Sequence, residues 1–167
     1  MLRTVIVFGV IVIALVVFLP GKHHATKTES VDYSTELDIV RHRAPYHVLA
    51  PMALSADWTA THVTIKVPQN GSTVTAFDLG FYVKSSDAYA HLLQSNAPGA
   101  VRQELGAKAR RTGSEQLAGQ SYQTWTDQHG QPALVRTTAD GSTVVVDGQA
   151  SDDKLAAVVA TLAAALR

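Results

Sequence analysis

The sequence contains no cysteine. It therefore has no disulfide, no thiolate metal ligand, no cysteine nucleophile and no cysteine that could carry a lipid. A domain of about 140 residues buries roughly two-thirds of the surface of its unfolded chain, so it can fold without a cross-link. The absence of disulfides consequently says little about the compartment in which the protein works.

The chain also lacks an excess of charge of either sign. Lys and Arg total 14, and Asp and Glu also total 14. This balance argues against a general binder of nucleic acid or another polyanion. The motifs of nucleophile elbows, phosphate loops, dinucleotide sites and H-E-x-x-H metal sites are missing as well. The sequence therefore predicts no catalytic residue, no cofactor and no metal ligand, and it favours a non-enzyme without deciding the question.

A long apolar run stands near the N-terminus. From Val5 to Leu19 every residue is apolar or glycine, and Arg3 and Lys22 flank the run. With Thr4 and Pro20 included, a helix of 17 residues covers about 25 Å, within the usual range of membrane-spanning helices. No small-x-small cleavage site follows, so an uncleaved signal-anchor is favoured and a cleaved signal peptide is the alternative.

The orientation of this segment rests on its position, because the flanking positive charges are nearly balanced. A signal-anchor at the extreme N-terminus leaves its short tail inside the cell. Residues 1–25 are thus predicted to be a single-pass transmembrane anchor with the start of a tether. Residues 26–167 are predicted to be an α+β domain on the extracytoplasmic side of the cell membrane.

Hydrophobic periodicity predicts the first half of this domain. A helix is expected over residues 31–46, because apolar side chains recur there at helical spacing. Two alternating strands follow, residues 58–67 and 73–83, joined by a turn at Asn70-Gly71. The segment KSSDAYAHLLQSN, residues 84–96, is predicted to be a second helix that presents Tyr89, Leu92 and Leu93. A weaker helical pattern covers residues 100–111.

Short strands separated by turns predict the second half. Four of them, EQLAG, SYQTWT, PALVRTT and STVVVDG, are spaced too closely for parallel crossovers and indicate an antiparallel meander. The alanine-rich segment that begins at Ser151 predicts a closing helix. The predicted fold is one antiparallel sheet of about six strands flanked by helices, an α/β/α sandwich.

Few polar residues in the sequence suggest a functional site. The histidines are scattered and are interpreted as solvated. Asp78 lies between Phe77 and Leu79 in a predicted strand, so solvent exposure is expected and a partly buried carboxylate is the exception to look for. Aromatic side chains left on an open sheet face would line a ligand groove.

A local basic cluster is a second group of residues that suggests a contact surface. It is a possible contact for anionic lipid head groups or an acidic envelope partner, and a solvated surface is the alternative. Its members are Arg102, Lys108, Arg110 and Arg111.

Several stretches resemble those of a family of actinobacterial membrane-anchored proteins, domain-of-unknown-function family 4245. They are Pro51–Trp58, Leu79-Gly80-Phe81-Tyr82, the spacing from Gly119 to Trp125, and Leu134-Val135-Arg136 with Gly141 and Gly148. The resemblance implies an extracytoplasmic domain on a membrane anchor and brings no catalytic residues. Ser55-Ala56-Asp57 stands where a more glycine-like turn is expected. The element order is also similar to that of Mog1/PsbP-like domains, which act mainly through binding.

These features favour a non-catalytic binding or accessory module of the cell envelope. Its ligand would be an envelope protein or a lipid-like molecule, and nucleic acid is not expected. The alternative is an envelope hydrolase whose site is assembled from residues distant in sequence. The sequence does not determine the oligomeric state.

Overall fold

The computed structural model of the protein describes residues 30–52, 54–69, 71–150 and 154–167. Within these ranges the chain forms three α-helices and seven β-strands. In chain order they are α1 (Ser34–Arg43), β1 (Trp58–Lys66), β2 (Ala76–Val83), β3 (Ala88–Ser95), α2 (Ala100–Leu105), β4 (Arg110–Leu117), β5 (Gln120–Thr126), β6 (Pro132–Thr137), β7 (Thr143–Gln149) and α3 (Leu155–Ala165).

The predicted membrane segment lies outside the described residues, and so do most of the tether, Asn70 and the start of the closing helix at Ser151. Within the part of the chain that the structure describes, no helix is both long enough and apolar enough to span a bilayer.

All seven described strands form a single antiparallel sheet in the order β1-β2-β3-β7-β6-β5-β4. Strands β1 to β3 make one meander and β4 to β7 make another. The two meanders join where β3 pairs with β7, from Tyr89 opposite Gln149 to Ser95 opposite Thr143. The predicted α+β class, the first hairpin and the four-strand meander are confirmed, whereas the sheet has seven strands instead of about six.

The extra strand is β3, and the helix predicted over residues 84–96 is wrong. Helical structure is limited to one 3₁₀ turn, Lys84–Ser86, which ends at Asp87 with a φ of 44°. The adjacent residues Leu92 and Leu93 are both buried, although they point to opposite faces of the sheet. Neighbouring apolar residues look helical in a sequence, but here both faces of the strand are covered, which hides the strand alternation.

The three described helices pack on opposite faces of the sheet. Helices α1 and α3 pack on the first face, where Val40 and Leu162 contact a core that includes Phe77 and Phe81. Helix α2 packs on the second face through Leu105. It is shorter than the predicted segment, because Gly106 ends it with a φ of 88° and the chain enters β4 at Arg110.

A buried glutamine holds the loop after α1 against the sheet. The Gln94 side chain lies in β3 and is fully buried. Its Oε1 atom accepts a hydrogen bond from the Leu49 backbone N–H at 2.8 Å. Its Nε2 atom donates to the His47 carbonyl at 2.8 Å and to Ser142 Oγ at 2.9 Å. The amide therefore satisfies polar groups of two loops inside the core, as a buried polar side chain must.

Candidate functional site

The pairing of four strands brings distant polar residues into one row. His62 on β1 lies opposite Gly80 on β2, Gly80 lies opposite His91 on β3, and His91 lies opposite Asp147 on β7. Residues directly opposite each other in a sheet point to the same side. The row therefore lies on the second face, and Asp78, two residues from Gly80, joins it there.

His91 stands at the centre of this group with a carboxylate on each side. Its Nε2 atom lies 2.7 Å from Asp78 Oδ1, and its Nδ1 atom lies 3.0 Å from Asp147 Oδ1. Helix α2 adds Glu104, whose Oε1 atom is 3.2 Å from the same Nδ1. Carboxylates only accept hydrogen bonds, so both ring nitrogens of His91 carry hydrogens in this arrangement.

Asp78 connects His91 to a second histidine. The same Oδ1 atom accepts a hydrogen bond from His62 Nε2 at 2.8 Å. The two imidazole rings stack with their centroids 5.7 Å apart and their planes inclined by 28°. We call His62, Asp78, His91, Glu104 and Asp147 the histidine–carboxylate cluster.

Burial and charge shift the proton equilibria of the cluster. The His91 side chain is only 18% exposed. Burial alone would lower the pKa of this imidazole, but the hydrogen bonds that it donates to Asp147, Asp78 and Glu104 outweigh burial and raise the pKa to about 12. In this arrangement His91 is therefore a cation.

Asp78 shows the opposite balance. Burial raises the pKa of its carboxyl group, but the hydrogen bonds and positive charge of His91, together with those of His62, lower the pKa below its ordinary value. Its side chain is only 15% exposed, so this residue is the partly buried carboxylate that the sequence left open as an exception. The His62 side chain is half exposed, but it is hydrogen-bonded to Asp78. It is therefore not simply solvated, which differs from the prediction.

The cluster carries a net negative charge. Three carboxylates face one imidazolium, and the charge stays negative even if His62 is protonated. Such a site favours an additional cation. As it stands it is poorly suited to general base catalysis, because His91 has no free ring nitrogen to accept a proton.

Two tyrosines extend the second face beside the cluster. Tyr82 on β2 lies opposite Tyr89 on β3, and their ring centroids are 5.2 Å apart. The Tyr82 hydroxyl donates to Asp87 Oδ1 at 2.9 Å, while Tyr89 is 49% exposed. Tyr89 is therefore an aromatic residue that lies partly exposed on a sheet face, an arrangement that the sequence left open.

The structure separates the predicted basic cluster into two parts. Arg102 donates hydrogen bonds from Nη1 to the carbonyls of Ala107, at 2.8 Å, and Ala109, and its guanidinium lies 5.7 Å from the centre of the Trp125 ring. These contacts stabilise the turn between α2 and β4. The other three members are exposed. Lys108 lies in the turn before β4, and Arg110 and Arg111 begin β4, an edge strand of the sheet.

The histidine–carboxylate cluster was not predicted from the sequence. Because residues 84–96 are predicted as a helix, His91 does not appear beside Asp78. One signal was available, namely Gly80 inside a strand, since an isolated glycine there often marks a close approach of another group. Asp147 and Glu104 carry no such local signal.

Comparison with known proteins gives one match. A sequence model of the family described as "Protein of unknown function (DUF4245)" matches residues 1–162, which include the apolar run and nearly all of the domain. No curated protein and no solved structure matches the chain. The match thus identifies a family whose description states no activity. Since no solved structure matches, none supports the expected likeness to Mog1/PsbP-like domains.

Proposed function

The chain belongs to the DUF4245 family, and from that premise we propose that it is a membrane-anchored, extracytoplasmic binding module of the cell envelope. The histidine–carboxylate cluster carries the proposal. Five titratable side chains from five different elements converge at one place on the second face of the sheet. Such convergence of charged groups is typical of functional sites.

Binding is favoured over catalysis by the arrangement around His91. Both of its ring nitrogens face carboxylate oxygens at 2.7 to 3.2 Å, which leaves no position for a substrate proton. The exposed ring of Tyr89 beside the cluster offers an amphipathic surface of the kind found at interfaces. The proposed partner is therefore an envelope protein or a lipid-like molecule.

The proposed location rests on the sequence. The run from Val5 to Leu19 has the length and the apolar content of a membrane anchor, and residues 21–30 are polar enough to serve as a tether. Lys108, Arg110 and Arg111 are exposed and would contact anionic lipid head groups or an acidic partner.

An envelope hydrolase is the second candidate function. It is favoured by the same convergence of residues distant in sequence. For His91 to act as a base, however, either its contact with Asp78 at Nε2 or both of its carboxylate contacts at Nδ1 would first have to open.

Fractionation of cells that express the full chain tests the location. We expect the protein in the membrane fraction at its full mass, and we expect protease added outside the cells to degrade its domain. Recovery in the cytosol, or release of a trimmed domain into the medium, would contradict the proposal.

Crosslinking on intact cells tests the binding surfaces. The wild-type chain is compared with Tyr89→Ala, with a triple variant in which Lys108, Arg110 and Arg111 become Gln, and with the control Arg43→Gln on α1. A partner of the second face is lost with Tyr89→Ala and kept with the control. If the wild-type chain and all variants give the same products, neither surface serves as a contact.

A further inference from the structure

We propose that the histidine–carboxylate cluster binds one divalent transition-metal ion, with Zn²⁺ as the reference ion, through His62 Nε2, Asp78 Oδ1 and His91 Nε2. This inference names a ligand for the site on which the proposed function rests. It does not depend on the membrane anchor or on any envelope partner.

The three donor atoms are already close together. Asp78 Oδ1 lies 2.8 Å from His62 Nε2 and 2.7 Å from His91 Nε2, and all three atoms are within 4.8 Å of one another. In tetrahedral geometry, metal–ligand bonds of about 2.0–2.2 Å hold neighbouring donor atoms roughly 3.3–3.6 Å apart. The two contacts of Asp78 Oδ1 therefore need to open by about 0.5–0.9 Å, and the half-exposed ring of His62 has room to move.

The surroundings of His91 select which of its nitrogens coordinates. Asp147 Oδ1 and Glu104 Oε1 lie 3.0 and 3.2 Å from Nδ1 and would accept its hydrogen, which leaves Nε2 free for a metal once its own hydrogen is lost. A carboxylate behind a coordinating histidine is the usual arrangement at metal sites, where it fixes the ring and makes it a better ligand.

A second set of donors exists on the other side of His91. It comprises His91 Nδ1, Glu104 and Asp147. It offers one imidazole and two carboxylates, whereas the set on the Nε2 side offers two imidazoles and one carboxylate. Imidazole is the better ligand for Zn²⁺, Ni²⁺ and Cu²⁺, so we assign the ion to the side of His62.

The net negative charge of the cluster also favours the binding of a divalent cation. A metal ion would displace the hydrogens that His62 Nε2 and His91 Nε2 share with Asp78, which would leave as protons to the solvent, and it would bring positive charge into a group of three carboxylates. Three protein ligands leave at least one coordination position open. Because His62 lies at the solvent side of the cluster, that position would be accessible to water or to a group of a partner.

Metal titration of the purified full chain, kept in detergent micelles, tests this assignment. His23 and His24 lie next to each other in the tether, so both are changed to Gln in every protein to remove a possible background site. After treatment with a chelator, the chain is titrated with Zn²⁺, and with Co²⁺ to follow the visible absorption of the bound ion. We expect one ion per chain.

Single substitutions then locate the ion. His62→Gln should weaken Zn²⁺ binding at least tenfold without unfolding the domain, because this side chain is half exposed. Glu104→Gln, a change in a residue that only positions His91, should weaken it by about 10-fold to 100-fold, and by less than His62→Gln does. His129→Gln removes an exposed imidazole from a turn and should leave binding unchanged. Circular dichroism confirms that each variant is folded.

Three results would overturn the assignment. The first is no stoichiometric binding by the parent chain, and the second is binding that His62→Gln leaves unchanged. The third is loss of affinity in Glu104→Gln to a larger extent than in His62→Gln, which would place the ion on the Nδ1 side. None of these results bears on the membrane location or on partner capture, so the proposed function is judged separately.

Discussion

The imidazole ring of His62 lies across the backbone of Gly80. A Cβ atom placed on Gly80 would be 2.1 Å from both Cε1 and Nδ1 of that ring, far inside van der Waals contact. The absence of a side chain at Gly80 is therefore what lets His62 reach over β2 to Asp78.

Gly80→Ala should consequently displace His62 and weaken Zn²⁺ binding at least tenfold. The free energy of unfolding should change by less than about 1 kcal/mol, because the clash involves the end of a half-exposed side chain and alanine suits a strand interior better than glycine. Zinc titration and urea denaturation measure the two effects. Gly71→Ala is the control, since a Cβ atom there meets only Pro68 atoms at 3.8 Å or more. Unchanged affinity in Gly80→Ala would contradict this role of the glycine.

Removal of metal should lower the thermal stability of the folded chain. A ligand that binds only the native state at 100 times its Kd stabilises that state by about 2.7 kcal/mol. For a domain of this size we expect a chelator to lower the Tm by roughly 5–10 °C. Scanning calorimetry with and without chelator measures the shift. His62→Gln should show almost no shift, and a shift of equal size in that variant would argue against the assigned ligands.

His91→Gln should be the most destabilising change within the cluster. It removes the cation that Asp78, Glu104 and Asp147 surround and leaves the three carboxylates facing one another. Breaking a buried ion pair costs about 3–5 kcal/mol, and partial exposure reduces the expected loss to about 2–4 kcal/mol. Urea denaturation of the metal-free chain measures it. His129→Gln should change stability by less than about 0.5 kcal/mol, and a similarly small effect at His91 would show that the cluster is not structurally important.

Stability should fall at alkaline pH because of Tyr46. Burial, with the nearby charge of Asp140, raises the pKa of this phenol from 10 to about 12. The folded state therefore holds the proton more tightly than the unfolded state. The resulting stabilisation is complete below pH 10 and is lost as the pH rises through about 12, a change on the order of 2 kcal/mol. Denaturation at several alkaline pH values measures it, and Tyr46→Phe should lack this component.

Gln94→Leu should destabilise the domain by about 2–4 kcal/mol. The substitution keeps a side chain of similar size, but it leaves the Leu49 N–H, the His47 carbonyl and Ser142 Oγ without the partner that Gln94 provides. Urea denaturation checks the value against Gln103→Leu, which changes an exposed glutamine of α2 and should have little effect. Equal effects of the two changes would show that the buried hydrogen bonds are not needed.

The sequence by itself was sufficient for much of the architecture. The alternation of residues 58–66 and 76–83 identifies the first hairpin, because one face of β1 is solvated and its polar residues mark that face. Closely spaced turns identify the meander of β4 to β7. The apolar stripe of the closing helix identifies α3.

Strand β3 and the histidine–carboxylate cluster are apparent only in the tertiary structure. Leu92 and Leu93 are buried on opposite faces, and a strand covered on both sides loses the alternation by which a sequence reveals it. His62, Asp78 and His91 form a row only because β3 is a strand beside β2. Asp147 joins them through the pairing of β3 with β7, two strands far apart in the chain, whose pairing no local pattern of residues reveals.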